Sequence, residues 1–98
     1  MPDQSPSWTL RDFLEQLDIW VDLEKPEEDL RMQVTLWIMS CLDDPYRNAR
    51  REPAFPNLWY TTIPRSYRNG TVVLCSFEIV ETVHEVRCKG FGTLNWPT

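Results

Sequence analysis

The chain has 98 residues, 42% of them hydrophobic, which is enough for one domain with a single core and no covalent staples. Its three cysteines, Cys41, Cys75 and Cys88, are odd in number and lack C-x-x-C spacing, which argues against a disulfide framework or a zinc site and for reduced thiols in the cytoplasm. No window approaches the ~20 apolar residues of a membrane span, and the opening MPDQSPSW has no basic stretch ahead of an apolar run, so it does not read as a signal peptide.

The net charge of −5 is unevenly spread. Residues 1–46 carry eleven acids against Arg11, Lys25 and Arg31, whereas residues 47–98 carry seven bases against four acids. Such an asymmetry bears on partners and not on fold.

In chain order, the first predicted helix covers 8–23. Leu10, Phe13, Leu14, Leu17 and Val21 recur at helical spacing, and Thr9 with Asp12 has the form of a capping box. A second helix is predicted over 26–43. Pro26 suits a first helical position, and Glu27, Glu28 and Asp29 suit the positive end of the dipole. Leu30, Val34, Trp37, Ile38 and Cys41 form its apolar stripe, and Asp43-Asp44-Pro45 ends it. Residues 45–56 hold three prolines and three arginines and read as a connector with room for one helical turn at Tyr46–Arg51. The sheet is predicted over 57–91. It starts with NLWYTTI, stopped by Pro64, and a turn follows at Asn69-Gly70, where both residues accept positive φ. TVVLCSFEIV then alternates, with Val73, Cys75, Phe77 and Ile79 on one face, and a turn near Glu81–Val83 leads into HEVRCKGF.

The expected architecture is a single α+β domain: an N-terminal antiparallel helical hairpin packed on one face of a small antiparallel sheet of three to four strands. Val73, Cys75, Phe77 and Ile79 should lie opposite Leu14, Leu17, Val34, Trp37 and Ile38. Five tryptophans either dominate the core or mark a contact surface.

No metal or cofactor site is expected, because one His and three Cys at these spacings match no metal pattern and three glycines form no phosphate loop. His84, with the acids Glu81 and Glu85 beside it, is a poor partner for a nucleophilic thiol. The constellation with chemical content is basic. Arg65 and Arg68 flank Tyr67 ahead of the long strand, and Arg87 and Lys89 share one face of the last strand. Antiparallel pairing of those strands is expected to bring the four cations together near one end of the sheet. Guanidinium groups beside a tyrosine ring answer the needs of a phosphodiester and a base, charge for one and stacking for the other.

The two helices, the connector DDPYRNARREP and the strands LWYTTIP, GTVVLCSFEI and HEVRCKGFGTL together resemble the RelE/ParE toxin superfamily, over roughly Phe13 to Leu94. The resemblance rests on element order and strand pattern, and it implies an antitoxin protein as partner. RelE-like members cleave mRNA in the ribosome with basic residues of the sheet. By position, Arg65, Arg68, Arg87 and Lys89 are then the catalytic candidates of an endoribonuclease, with Tyr67, Arg47, Arg50 and Arg51 as binding positions. ParE-like members share the fold, act on DNA gyrase and need no nuclease residues.

The chain departs from this pattern in three places. MPDQSPSW makes a poor first strand, so the sheet is expected to lack an edge. The tail FGTLNWPT has no Tyr or His for acid–base work. The overall charge is acidic, where a ribosome-binding protein profits from a basic surface. The alternative reading is a non-catalytic protein-interaction module on a toxin-like fold, served by exposed tryptophans and the acidic helical half.

Overall fold

The structure, a computed structural model, describes residues 7–95. Its elements are β1 (Thr9–Arg11), α1 (Phe13–Glu24), α2 (Glu28–Ser40), β2 (Arg50–Arg51), β3 (Leu58–Thr62), β4 (Thr71–Val80) and β5 (Glu85–Asn95), with one 3-10 turn at Glu81–Val83. The strands form one sheet in the order β1-β5-β4-β3-β2. All neighbours are antiparallel except β1, which runs parallel to β5. The expected α+β arrangement is present, with five strands in a mixed sheet where three or four antiparallel ones were expected.

The extra edge comes from residues that read as the start of a helix. Thr9, Leu10 and Arg11 pair with Glu85, Val86 and Arg87. The Trp8 amide donates to the Leu42 carbonyl (3.1 Å) and the Thr9 amide to the His84 carbonyl (3.0 Å). Trp8 stacks on the His84 ring with centroids 3.8 Å apart and meets Tyr46 edge-on at 5.9 Å, which anchors the strand from its N-terminal side. The capping box does not form: Asp12 sits in the left-handed region (φ 67°) and makes no side-chain cap, so α1 begins at Phe13 and not at residue 8. Once β1 takes Leu10, the phase of α1 is set by Phe13 and Trp20, 3% and 2% exposed, with Leu17 and Val21 half-buried. Leu14 is 69% exposed and does not face the sheet.

α2 starts two residues after Pro26 and ends at Ser40, shorter than the predicted 26–43 because Cys41 to Asp43 continue only as turns. Val34, Trp37, Ile38 and Cys41 are buried as expected. The connector makes no helical turn at Tyr46–Arg51; its Arg50 and Arg51 instead pair with Tyr60 and Trp59 as β2.

Phe77, fully buried, stands opposite Trp59 and Cys88, and its ring lies 5.6 Å from Trp37. Trp37 also meets Phe13 at 6.1 Å and Phe91 at 6.5 Å, and Trp20 meets Phe91 at 6.2 Å. Tryptophan therefore builds the core: Trp8, Trp20 and Trp37 are buried, and Trp59 packs against them beside Tyr46. Among the described residues no tryptophan is exposed, which removes that support from the interaction-module reading. No helix of the described residues is long and apolar enough to cross a membrane.

A register shift in β5 decides which residues face the helices. Phe77 pairs with Cys88 but Ser76 pairs with Gly90, leaving Lys89 as the extra residue of a β-bulge. The bulge switches the alternation, so that Val86 and Cys88 before it and Phe91 after it all reach the core. Without the extra residue Phe91 would fall on the opposite face.

The three thiols are free and buried, with the sulfurs of Cys75 and Cys88 3.7 Å apart. Burial pushes the Cys41 thiol up to about 12 and the Cys75 thiol well above its ordinary value, so the reactive thiolate is scarce at neutral pH. A thiol reagent should therefore label all three only after denaturation. Fast reaction of any one in the native protein would contradict the packing.

Candidate functional site

The helices pack on the face of the sheet that carries Phe77, and on the other face Tyr60, Thr62, Leu74, Ser76 and Glu78 are half-buried while Val72 is fully buried. Register places three cross-sheet rows on this second face, the open face. The first runs Arg11, Arg87, Glu78, Leu58; the second Gly90, Ser76, Tyr60, Arg50; the third Gly92, Leu74, Thr62. Tyr60, Thr62, Leu74 and Leu94 form the floor of a groove of about 550 Å³ whose rim is made by Asn48, Arg50 and Tyr67. A smaller hollow of about 290 Å³ adjoins it at Leu58, Tyr60, Leu74 and Ser76, with Glu52 at the border. Gly92, opposite Leu74, has open space where a side chain would stand, so the floor is flat there.

Electrostatics at the β5 side are organised by two carboxylates. Glu85, nearly buried, accepts from Arg11 Nε (2.6 Å) and Arg87 Nε (2.7 Å). Glu78 Oε1 lies 3.9 Å from both Arg87 Nη1 and Lys89 Nζ. The guanidinium of Arg87 is therefore oriented by its hydrogen bond to Glu85, with Glu78 near enough to attract it but beyond hydrogen-bond range. Hydrogen bonds from Arg11 and then Arg87 hold the Glu85 carboxyl below the usual carboxylate range. A lowered folded-state pKa adds stability above the unfolded value of about 4.3 that is lost as pH falls through the folded one. Glu85→Gln should accordingly flatten the acid limb of the stability profile below about pH 4.3. An unchanged acid limb would show that the bridge contributes nothing to folding.

The four predicted catalytic cations do not converge. Arg87 and Lys89 do share the open face, joined through Glu78. Arg68 sits beside the Asn69-Gly70 turn, donating to Asp29 of α2 (3.1 Å) and to the carbonyls of Arg65 and Tyr67. Its bridge partner Thr71 is seven residues along β4 from Glu78, roughly 24 Å at strand rise. Arg65, in the left-handed region (φ 65°), lines a hollow against α2 together with Arg47, Gln33 and Leu36. The length of β4 is what separates the two pairs.

Of the predicted binding residues, Tyr67 and Arg50 meet at the groove. Arg47 lies 4.0 Å from Asp44 on the α2 side, and Arg51 donates to the Pro56 carbonyl within its own loop. Residues of the open face that the sequence analysis did not single out are Arg11, Tyr60, Leu74 and Leu94. The alternation of LWYTT and TVVLCSFEIV was the available signal, since it puts Tyr60 and Leu74 on the face away from Phe77. Among the described residues no group of three or more His, Cys, Asp or Glu is placed to hold a metal ion.

No family model matches the sequence, and no curated protein matches it. In structure the chain is similar to the E. coli toxin RelE, solved in the free state as an arginine-to-alanine double mutant, with a TM-score of 0.60 and 15% sequence identity. The match covers 88% of this chain and 82% of that one. At that identity the likeness speaks to architecture, and with the element order above it establishes that this chain has a RelE-like fold.

Proposed function

We propose that this protein is a toxin of the RelE type, acting in the cytoplasm, whose open sheet face holds an RNA strand for cleavage at the ribosome. The carrying observation is that the sheet face away from the helices joins a tyrosine-lined groove (Tyr60, Tyr67, Arg50) to the row of Arg11, Arg87 and Lys89. Tyr60 and Arg87 stand two residues along and two strands across from each other, about 12 Å between backbones, a span that one nucleotide and two long side chains can bridge. Tyrosine rings offer bases a stacking surface, and the cations neutralise the phosphates. In RNA cleavage negative charge gathers on the phosphate oxygens, and a guanidinium already oriented by Glu85 stabilises that charge with little reorganisation. Arg87 is the leading catalytic candidate and Lys89 its neighbour, whereas Arg65 and Arg68 are left to the loop and α2. A dedicated antitoxin protein follows as the partner that silences the activity.

A second reading, a non-catalytic interaction module, is favoured by one observation: Glu78 and Glu85 already occupy the cations of the open face. Induced expression in a bacterial host separates the two. The toxin reading expects arrested growth with a fall in labelled amino-acid incorporation. Normal growth and translation at high expression would leave the interaction module as the account of the fold.

A further inference from the structure

Arg47 and Arg65, which the groove leaves aside, meet elsewhere. With Gln33 and Asn48 they line a hollow of about 290 Å³ between α2 and the loop that follows β3. Among the described residues no carboxylate lines it. Asp44 stands 4.0 Å from Arg47 Nε, beyond hydrogen-bond range, and both groups are exposed to solvent. Asp29, earlier on α2, is already paired with Arg68 at 3.1 Å. The α2 carbonyls of Trp37 to Ser40 accept from the Ser40 hydroxyl and from the amides of Cys41 to Asp44, which blunts the negative end of the helix dipole beside the hollow. Among the described residues no hydrogen bond or ion pair engages the Arg65 guanidinium or the side-chain amides of Gln33 and Asn48.

Two of these residues stand on backbone that the core pins. Asn48 (φ 60°) and Arg65 (φ 65°) are both in the left-handed region, which is unfavourable for arginine above all. Each turn is held by a buried hydroxyl. Thr61, 2% exposed, donates to the Asn48 carbonyl (3.0 Å). Ser66, 1% exposed, donates to the Ile63 carbonyl (2.7 Å) and accepts from the Val73 amide (3.0 Å). The directions in which Arg65 and Asn48 leave the chain are thus set before any ligand arrives. Two guanidinium forks and two amides offer more N–H donors than the two oxygens of a carboxylate can use, whereas a phosphate brings more oxygens and up to two charges. We infer that this hollow is a binding site for a phosphate group, as inorganic phosphate or as a small monoester, held between Arg47 and Arg65. Leu36, Trp37 and Pro64 complete the lining and suit the organic part of an ester. The inference does not rest on the RNA reading. Asn48 also stands at the rim of the groove, which makes an RNA strand the competing occupant.

The test is a titration of the full, isotope-labelled chain followed through its arginine Nε–H and amide signals in NMR. Inorganic phosphate, phenyl phosphate and a six-nucleotide uridine strand are added in turn at constant ionic strength, with chloride as the reference. Saturable shifts at Arg47, Asn48 and Arg65 are expected with phosphate. Tighter binding of phenyl phosphate would assign the site to an ester, and equal binding to phosphate itself. Arg47→Gln and Arg65→Gln, both at exposed positions, should each weaken binding at least about tenfold, and Arg87→Gln should leave it unchanged. Shifts that are absent, fail to saturate or are reproduced by chloride would mean an adventitious ion only and overturn the inference. Undiminished affinity in Arg65→Gln would overturn it as well. Saturation by the uridine strand alone would overturn it in favour of an extension of the groove.

Discussion

Phe77→Ala should remove about 3–5 kcal/mol of stability in chemical denaturation. The ring is fully buried and is shared by three neighbours, Trp37 from the helices and Trp59 and Cys88 from the flanking strands. Removing it leaves a cavity at the point where α2 meets the sheet. A domain of this size holds on the order of 5–15 kcal/mol, so the variant should be marginal at room temperature. Leu14→Ala is the contrasting measurement: at 69% exposure the change should fall within about 0.5 kcal/mol. A loss at Leu14 comparable with that at Phe77 would mean that α1 is rotated from the phase described.

Arg87→Ala should lower RNA cleavage by about 10²–10³-fold, the usual cost of losing one fixed donor to a charged transition state. Its effect on stability should stay near 1 kcal/mol or less, because the bridges to Glu78 and Glu85 are partly solvated. Arg65→Ala should leave cleavage intact, since that side chain lines the α2 hollow away from the groove. If the two variants lost activity equally, the open face would not be the working surface.

The helices and the long strand were readable from the sequence because their apolar periods are strong and local. Val73, Cys75, Phe77 and Ile79 face the core as their alternation implied, and Val34, Trp37 and Ile38 meet them as the helical stripe implied. The misreadings share one cause, pairing between residues far apart in the chain. Thr9 to Arg11 form a strand only because β5 offers an edge some 75 residues later. With Leu10 counted into the helix, Leu14 was drawn into a stripe that belongs to Phe13 and Trp20. The bulge at Lys89 leaves no pattern of its own beyond the switch in alternation between Cys88 and Phe91. The candidate face was half visible. Arg87 and Lys89 were placed together correctly by their spacing of two, but joining them to Arg65 and Arg68 ignored the length of β4. Tyr60 was read as a strand former and not as a groove residue, although its parity places it opposite Ser76 on the face away from Phe77.

The most direct test of the central claim is cleavage of a defined mRNA by the purified protein in the presence of programmed ribosomes, with cut sites mapped by primer extension. Wild type should cut within the ribosome-bound codon, and Arg87→Ala should not. Gly92→Trp should also fail, because it fills the open space on the groove floor while remaining compatible with the strand. The contradicting result is intact mRNA with wild-type protein at saturating concentration, which would remove RNA cleavage from the account.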